Sequence, residues 1–207
     1  MKMVFEDFRR EFYDLICFNR NQVLAWHAGF DKNNLGRWVK KGYVVKLRNG
    51  FYSFPEYLSM PQISLYIANQ IYKPSYISLH SVLSYYGIIP ESVSQVTSIS
   101  GMKTIDFQNR FGSFSYQQVH PDYYFGFELK PMTDGRMIQM AFPEKAILDL
   151  FYLYPFYNSP EEMIDIRFDE DILEDLIDLN KLMSYLENFR NNALSKRVTT
   201  FTKVYGL

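Results

Sequence analysis

Along the N-terminal quarter of the chain, apolar residues recur first with a helical period and then with a strand period. Val4, Phe5, Phe8, Phe12, Leu15 and Ile16 fall mostly three or four apart, with Glu6, Arg9, Arg10 and Asp14 between them, which predicts an amphipathic helix over Met3–Phe18. A shorter helical segment, Asn21–His27, carries Val23, Leu24 and Trp26 and is stopped by Gly29. Asp31 is a good N-cap and Gly42 a good residue just past a helix end, so a third helix is expected between them. Leu35, Trp38 and Val39 form its apolar stripe. At 100° per residue, Asn33, Arg37 and Lys40 lie roughly opposite, flanked by Gly36, Asn34 and Lys41. The period then changes to that of strands: Tyr43–Leu47, Arg48-Asn49-Gly50, Phe51–Phe54. Asn-Gly between two β-rich runs predicts a hairpin with a type I′ turn, in which both central residues take positive φ. Three helices followed by a hairpin predict a winged helix-turn-helix over residues 1–55.

Pro55 and Pro61 bracket an irregular stretch where a domain boundary is expected, with a second domain over residues 61–207. Ile63, Tyr66, Ile67 and Ile71 predict a helix over Gln62–Tyr72. Ser78 as N-cap and Gly87 as terminator predict another over Ser78–Tyr86. Alternation then marks strands at Val96–Ser100, Phe114–Val119, Tyr123–Phe127 and Arg136–Phe142, punctuated by glycines and expected to form one antiparallel or mixed sheet. Pro143 suits the first position of a helix whose buried stripe is Ile147, Leu150, Phe151 and Tyr154. Acidic helices complete the chain and are expected to dock on the sheet through Leu173, Leu176, Ile177, Leu182, Leu186 and Phe189, with their acids toward solvent. The fold class read from this pattern is α+β: a winged helix-turn-helix, then a mixed α/β domain with a small sheet and C-terminal helices.

Composition adds little to the class but much to the charge distribution. The 207 residues are 47% hydrophobic and 22% charged, which fits a folded globular chain and argues against extensive disorder. The net charge of −1 conceals a division. From Asn21 to Phe54 six basic residues stand against one acid, a balance of +5; from Glu144 to Glu187 twelve acids stand against three bases, a balance of −9. A basic module followed by an acidic one implies that a polyanion meets the first. A single cysteine, Cys17, excludes an internal disulfide framework, and no Cys/His cluster suggests zinc. Met1–Asp7 lacks the apolar core of a signal peptide, and the longest apolar run, residues 146–157, is broken by Asp149 and Pro155. A cytoplasmic protein with no membrane partner is the expectation.

The partner that suits the first module is double-stranded DNA. A helix enters the roughly 12 Å major groove, where Arg and Asn make paired hydrogen bonds to guanine and adenine edges. Arg37 and Asn33 are the expected base readers. Lys40, Lys41, Lys46 and Arg48 suit phosphates, and Asn34 and Asn49 complete the DNA-facing set. A site of inverted repeats near the protein's own promoter is expected. The alternatives are a merely solvated charged face, and a winged helix used as an adaptor for protein contacts.

Enzymatic readings are weaker. His80 lies beside Ser78 and Ser81, but neighbours on a helix do not face one another, and no oxyanion-hole motif accompanies them. His27 and His120 are isolated. Glu144, Lys145 and Asp149 resemble the acid and lysine set of a metal-dependent nuclease, but on a helix Glu144 and Lys145 point about 100° apart. Phosphate-binding glycine motifs are absent, and the aromatic run Tyr116, Tyr123, Tyr124, Phe125 and Phe127 has little positive charge around it, which favours sheet core over a stacking platform. No cofactor, no metal and no catalysis are expected.

Two stretches carry a family resemblance: Pro74-Ser75-Tyr76-Ile77-Ser78-Leu79-His80-Ser81-Val82-Leu83-Ser84-Tyr85-Tyr86-Gly87-Ile88-Ile89-Pro90-Glu91, and Pro143-Glu144-Lys145-Ala146-Ile147-Leu148-Asp149-Leu150. With Lys41-Gly42-Tyr43 and Gly50-Phe51-Tyr52 before them, they make residues 20–155 resemble the AbiEi-type antitoxins and related bacterial transcriptional regulators. The resemblance implies a repressor of its own operon, paired with a nucleotidyltransferase-type toxin in a type IV toxin–antitoxin arrangement that requires no direct contact between the two. The acidic segment after Pro155 lies outside it.

Overall fold

A computed structural model describes residues 4–207, so Met3, where the sequence pattern begins the first helix, lies outside the described residues. The fold is mixed α+β with a small sheet and C-terminal helices. The chain divides into two compact units, one made of the residues up to Lys73 with Phe107–Ser113, the other of Pro74–Asp106 with Phe114–Leu207. The division therefore falls later than Pro55–Pro61, and helix α4 (Ile63–Ile71) belongs to the first unit.

In that unit the first helix is shorter than its apolar period suggests. Helix α1 spans Phe5–Phe12, a 3-10 turn follows at Tyr13–Leu15, and Ile16 turns the chain at φ 60° into strand β1, Cys17–Asn19. The run Ile16-Cys17-Phe18 is apolar throughout, which suits a buried strand as well as a helix, and pairing with a later strand decides between them. Helix α2, Arg20–Trp26, opens with a capping box: the Asn19 side chain accepts from the Gln22 amide at 3.0 Å while the Gln22 side chain accepts from the Asn19 amide at 2.7 Å. Helix α3 spans Asn33–Lys40. It closes on Gly42 at φ 75°, where the Gly42 amide donates to the Val39 carbonyl and the Tyr43 amide to that of Trp38, at 3.0 and 2.9 Å.

Strands β2 (Val45–Arg48) and β3 (Phe51–Ser53) form an antiparallel hairpin, and β1 pairs with β3, giving the order β1-β3-β2. Gly50 has φ 77° but Asn49 does not take positive φ, so the expected type I′ turn is not formed. A register irregularity between Lys46 and Arg48 lets one glycine supply the only left-handed residue the turn needs. Aromatic side chains fill the core. Phe8, fully buried, packs its ring against Phe12, Phe18 and Trp38 at centroid distances of 4.9, 5.3 and 4.6 Å.

The second unit is built on a six-stranded sheet of order β6-β7-β5-β4-β9-β8. The strands are β4 (Ser75–Ile77), β5 (Gln95–Ser100), β6 (Ile105–Asn109), β7 (Gly112–Gln118), β8 (Phe127–Pro131) and β9 (Met137–Ala141). The sheet is mixed, since β4 runs antiparallel to β5 and parallel to β9. Residues 123–127 are not the strand that alternation suggests: a 3-10 turn occupies Pro121–Tyr123, and Gly126 turns the backbone at φ 75°. Their rings pack elsewhere, Tyr123 on Phe189 at 4.6 Å, Tyr124 and Phe127 on Tyr76 at 5.1 and 4.6 Å.

Helix α5, His80–Tyr85, is not capped by Ser78. Leu79 occupies the cap position at φ 58° and ψ −143°, a backbone conformation that a Cβ disfavours and that is otherwise nearly confined to glycine. Helix α6 spans Pro143–Leu153 and is buried from Pro143 to Phe151. Helices α7 (Pro160–Ile164) and α8 (Glu170–Leu176) are acidic and short; α9 (Leu179–Phe189) and α10 (Asn192–Val204) follow. The last two pack against α6, so the expected docking on the sheet is replaced by docking on a helix. Leu173, Leu182, Leu186 and Phe189 are buried as expected, whereas Leu176 is 39% exposed. Glu161, Glu162, Glu170, Asp171, Glu174, Asp175 and Glu187 face solvent.

At the centre of the second unit lies a polar network with no access to water. Lys145 and Asp149, one turn apart on α6, form an ion pair in which both side chains are 0% exposed. The second Asp149 oxygen accepts from the Tyr76 hydroxyl at 3.0 Å and from Ser78 Oγ at 2.8 Å. Lys145 also donates to the Tyr76 hydroxyl at 2.9 Å, and its ammonium sits over the rings of Phe125 and Phe189 at 5.0 and 5.1 Å. Burial pushes the Asp149 carboxyl up and the Lys145 ammonium down, and each is partly held back by the charge of the other. Lys145→Met should destabilise the protein by about 3–5 kcal/mol, because it strands a buried carboxylate. Lys145→Met combined with Asp149→Leu should cost clearly less than the two single losses added together, as read by urea unfolding.

Candidate nucleic-acid interface

Helix α3 presents the face expected of it. Leu35 and Trp38 are buried beneath, while Asn33, Arg37, Lys40 and Lys41 are exposed and Asn34 is half-buried. Asp31 organises the start of this face. Its carboxylate accepts from the Asn33 amide at 3.0 Å and its carbonyl from the Asn34 amide at 2.8 Å, so it serves as the cap although Lys32 is already helical. The second carboxylate oxygen holds Arg37 Nη2 at 2.6 Å. The Asn33 amide, and after it Arg37, keep the Asp31 carboxyl below the usual carboxylate range. The Arg37 and Asp31 side chains are 60% and 46% exposed, and an ion pair so open to water is weak.

On the hairpin, Lys46 and Asn49 are exposed. Arg48 is placed differently from expectation. It is half-buried, and its guanidinium lies 5.0 Å from the Phe51 ring, 5.4 Å from Tyr72 and 5.1 Å from Phe107. Phe107 comes from the β6–β7 hairpin, whose tip, Phe107–Ser113, belongs to this unit. That tip carries an exposed arginine, Arg110, which the alternation pattern did not bring into the basic module. The signal available in the sequence was the turn-forming Asn109-Arg110-Phe111-Gly112, sixty residues beyond the β2–β3 hairpin and preceded by the alternating run Ile105–Asn109.

The side chains that suggested catalysis are occupied. Ser78 Oγ donates to Asp149, and Ser81 Oγ exchanges hydrogen bonds with Thr97, accepting from its amide at 2.8 Å. Glu144 accepts from the Asp178 amide at 3.2 Å and pairs with Lys181 at 3.2 Å. His80 is half-buried, its ring 5.8 Å from that of Tyr154, at one wall of a cleft of about 530 Å³ shared with Glu91, Thr97, Phe156 and Asp165. Among the described residues, no group of three or more His, Cys, Asp and Glu side chains is arranged to hold a metal ion, and no helix is long and apolar enough to cross a membrane. Cys17 is buried in β1, and burial pushes its thiol up to about 12.

Compared with protein-family models and with curated proteins, the chain matches none.

Burial holds the His80 imidazole below its ordinary value, against a smaller opposing pull from Glu91. A depressed folded value means that the unfolded chain takes up the proton first, so the contribution of His80 to stability is present above about pH 6.5 and is lost as the pH falls through the folded value. His80→Gln should flatten that part of the profile, as measured by thermal melts over roughly pH 7 to 5.

Proposed function

We propose that this protein is a transcriptional regulator whose N-terminal unit is a winged helix bound to double-stranded DNA. The observation that carries the reading is the exposed polar face of α3, with Asn33, Arg37, Lys40 and Lys41 directed away from a buried Leu35 and Trp38, followed directly by a hairpin with Lys46 and Asn49 exposed. The element order α1-β1-α2-α3-β2-β3, with sheet order β1-β3-β2, supports the winged-helix reading. The balance of +5 over Asn21–Phe54 supports a polyanionic partner. In this reading Arg37 leaves Asp31 to reach a base edge, and Lys40, Lys41 and Lys46 neutralise phosphates.

The protein is further proposed to repress its own operon at inverted repeats, as the antitoxin of a type IV pair with a nucleotidyltransferase toxin, acting without catalysis. Support comes from the two stretches that resemble AbiEi-type antitoxins. Tyr76 and Ser78 from the first, and Lys145 and Asp149 from the second, are the four members of the buried network, so these stretches are two halves of one core. What they have in common with that family is then a fold, and antitoxic action belongs to the surface of the second unit.

Mobility shift with the region upstream of the gene tests the first proposal, and absence of binding at low salt would refute it. Arg37→Ala should weaken binding by about 1–3 kcal/mol and relax base preference, whereas Lys40→Ala should weaken binding to all sequences and lower the salt slope. Asp31→Asn, which frees Arg37 and removes a negative charge from the interface, should strengthen binding. For the second proposal, Arg37→Ala in the full chain should abolish repression and leave toxin neutralisation intact; loss of both would sink the separation. A protein-contact adaptor predicts no shift in any of these titrations and recovery of a protein partner by pull-down.

A further inference from the structure

Strand β2 is the outer strand of its sheet, and an outer strand leaves carbonyls unpaired along its free side. Here the Leu47 carbonyl accepts from Asn109 Nδ2 at 3.0 Å. The next residue, Arg48, lies over Phe107. Two consecutive residues of β2 are thus fastened to the tip of the β6–β7 hairpin, and the chain segment Phe107–Ser113 groups with the first unit. The tip itself is rigidly built: Asn109 Oδ1 accepts from the Phe111 amide at 2.8 Å, and Phe111 is buried. Arg110, between them, is exposed. Lys46 and Arg110 each stand one residue from the bonded pair Leu47 and Asn109, and no carboxylate occurs from Phe107 to Ser113.

We propose that this tip is a second arm of the DNA interface, in which Arg110 contacts a backbone phosphate beside the one met by Lys46. Arg48 is then a positioning residue, locking the arm to the wing through the three rings around its guanidinium, and not a phosphate contact as its place in the sequence suggests. The proposal rests on the DNA-binding reading given above. An arginine fork suits a phosphate, and such a contact sets register and affinity without reading bases.

The full-length protein is titrated by fluorescence anisotropy with two labelled duplexes, the region upstream of its own gene and a scrambled duplex of equal length, over a range of salt. Arg110→Ala should weaken binding to both duplexes alike. It should also reduce the loss of affinity between about 50 and 200 mM salt by roughly 3.5-fold, the share of one phosphate, while Arg110→Lys keeps the wild-type slope. Adding Arg48→Ala to Arg110→Ala should lower the slope no further; a second equal decrement would make Arg48 a phosphate contact and overturn its positioning role. A wild-type slope for Arg110→Ala, together with a lowered slope for Lys40→Ala, would overturn the arm and leave the interface on α3 standing. Failure of the wild-type chain to bind either duplex at low salt would overturn the DNA reading, and the arm with it.

Discussion

A carboxylate and an ammonium, both cut off from water, constrain how the second unit of this protein is built. Desolvating either alone costs several kcal/mol, so Lys145 and Asp149 are tolerable only as a pair and only with their remaining hydrogen-bonding positions filled. The surrounding architecture supplies those partners. Asp149 takes two hydroxyls, from Tyr76 in β4 and from Ser78 just beyond it, which fixes α6 against the centre of the sheet. Phe125 and Phe189 close over the ammonium, so the loop before β8 and the end of α9 are registered on the same charge. Gly126 belongs to this arrangement: a Cβ there would come within 2.9 Å of the Lys145 side chain, and its backbone stands at φ 75°. The positive φ of Leu79 has a cause in the same place, since Ser78 is held by Asp149 while the chain must turn at once into α5.

Much of the N-terminal unit was legible because its signals are local. The Asp31 cap, the Gly42 stop and the stripe of Leu35 and Trp38 each depend on neighbours within one or two turns, and α3 forms where they place it. What failed there failed on pairing. The strand at Cys17–Asn19 is specified by β3, more than thirty positions away in sequence, and nothing in an apolar run reveals that partner. The Asn-Gly hairpin was found but its turn was not, because the register slip at Lys46–Arg48 is set by how the strands meet. In the second unit, three expected strands lie close to Gln95–Ser100, Gly112–Gln118 and Met137–Ala141. The fourth went astray where aromatic residues serve helix packing, since Tyr123 and Phe125 seek Phe189 and not a sheet neighbour.

The candidate interface divides along the same line. Asn33, Arg37, Lys40, Lys41, Lys46 and Asn49 were readable because exposure on a helix face or at a hairpin end follows from period alone. Arg48 was not, because its surroundings are contributed by Tyr72 and Phe107 from segments remote in sequence. Arg37 was readable as a position but not as a state, since its pairing with Asp31, six residues earlier, does not follow from the helical period.

The grouping of Phe107–Ser113 with the first unit bears on how the protein is made. Residues up to Lys73 leave the ribosome with the Leu47 carbonyl and the Arg48 guanidinium still lacking their later partners, and the whole of β4, α5 and β5 must emerge before Asn109 and Phe107 arrive. The N-terminal unit therefore does not complete its fold in order of synthesis; its last side of packing waits on a segment that also begins the outer hairpin of the sheet. A nascent chain stalled before that point exposes the edge of β2, an open strand edge able to pair with a neighbouring chain.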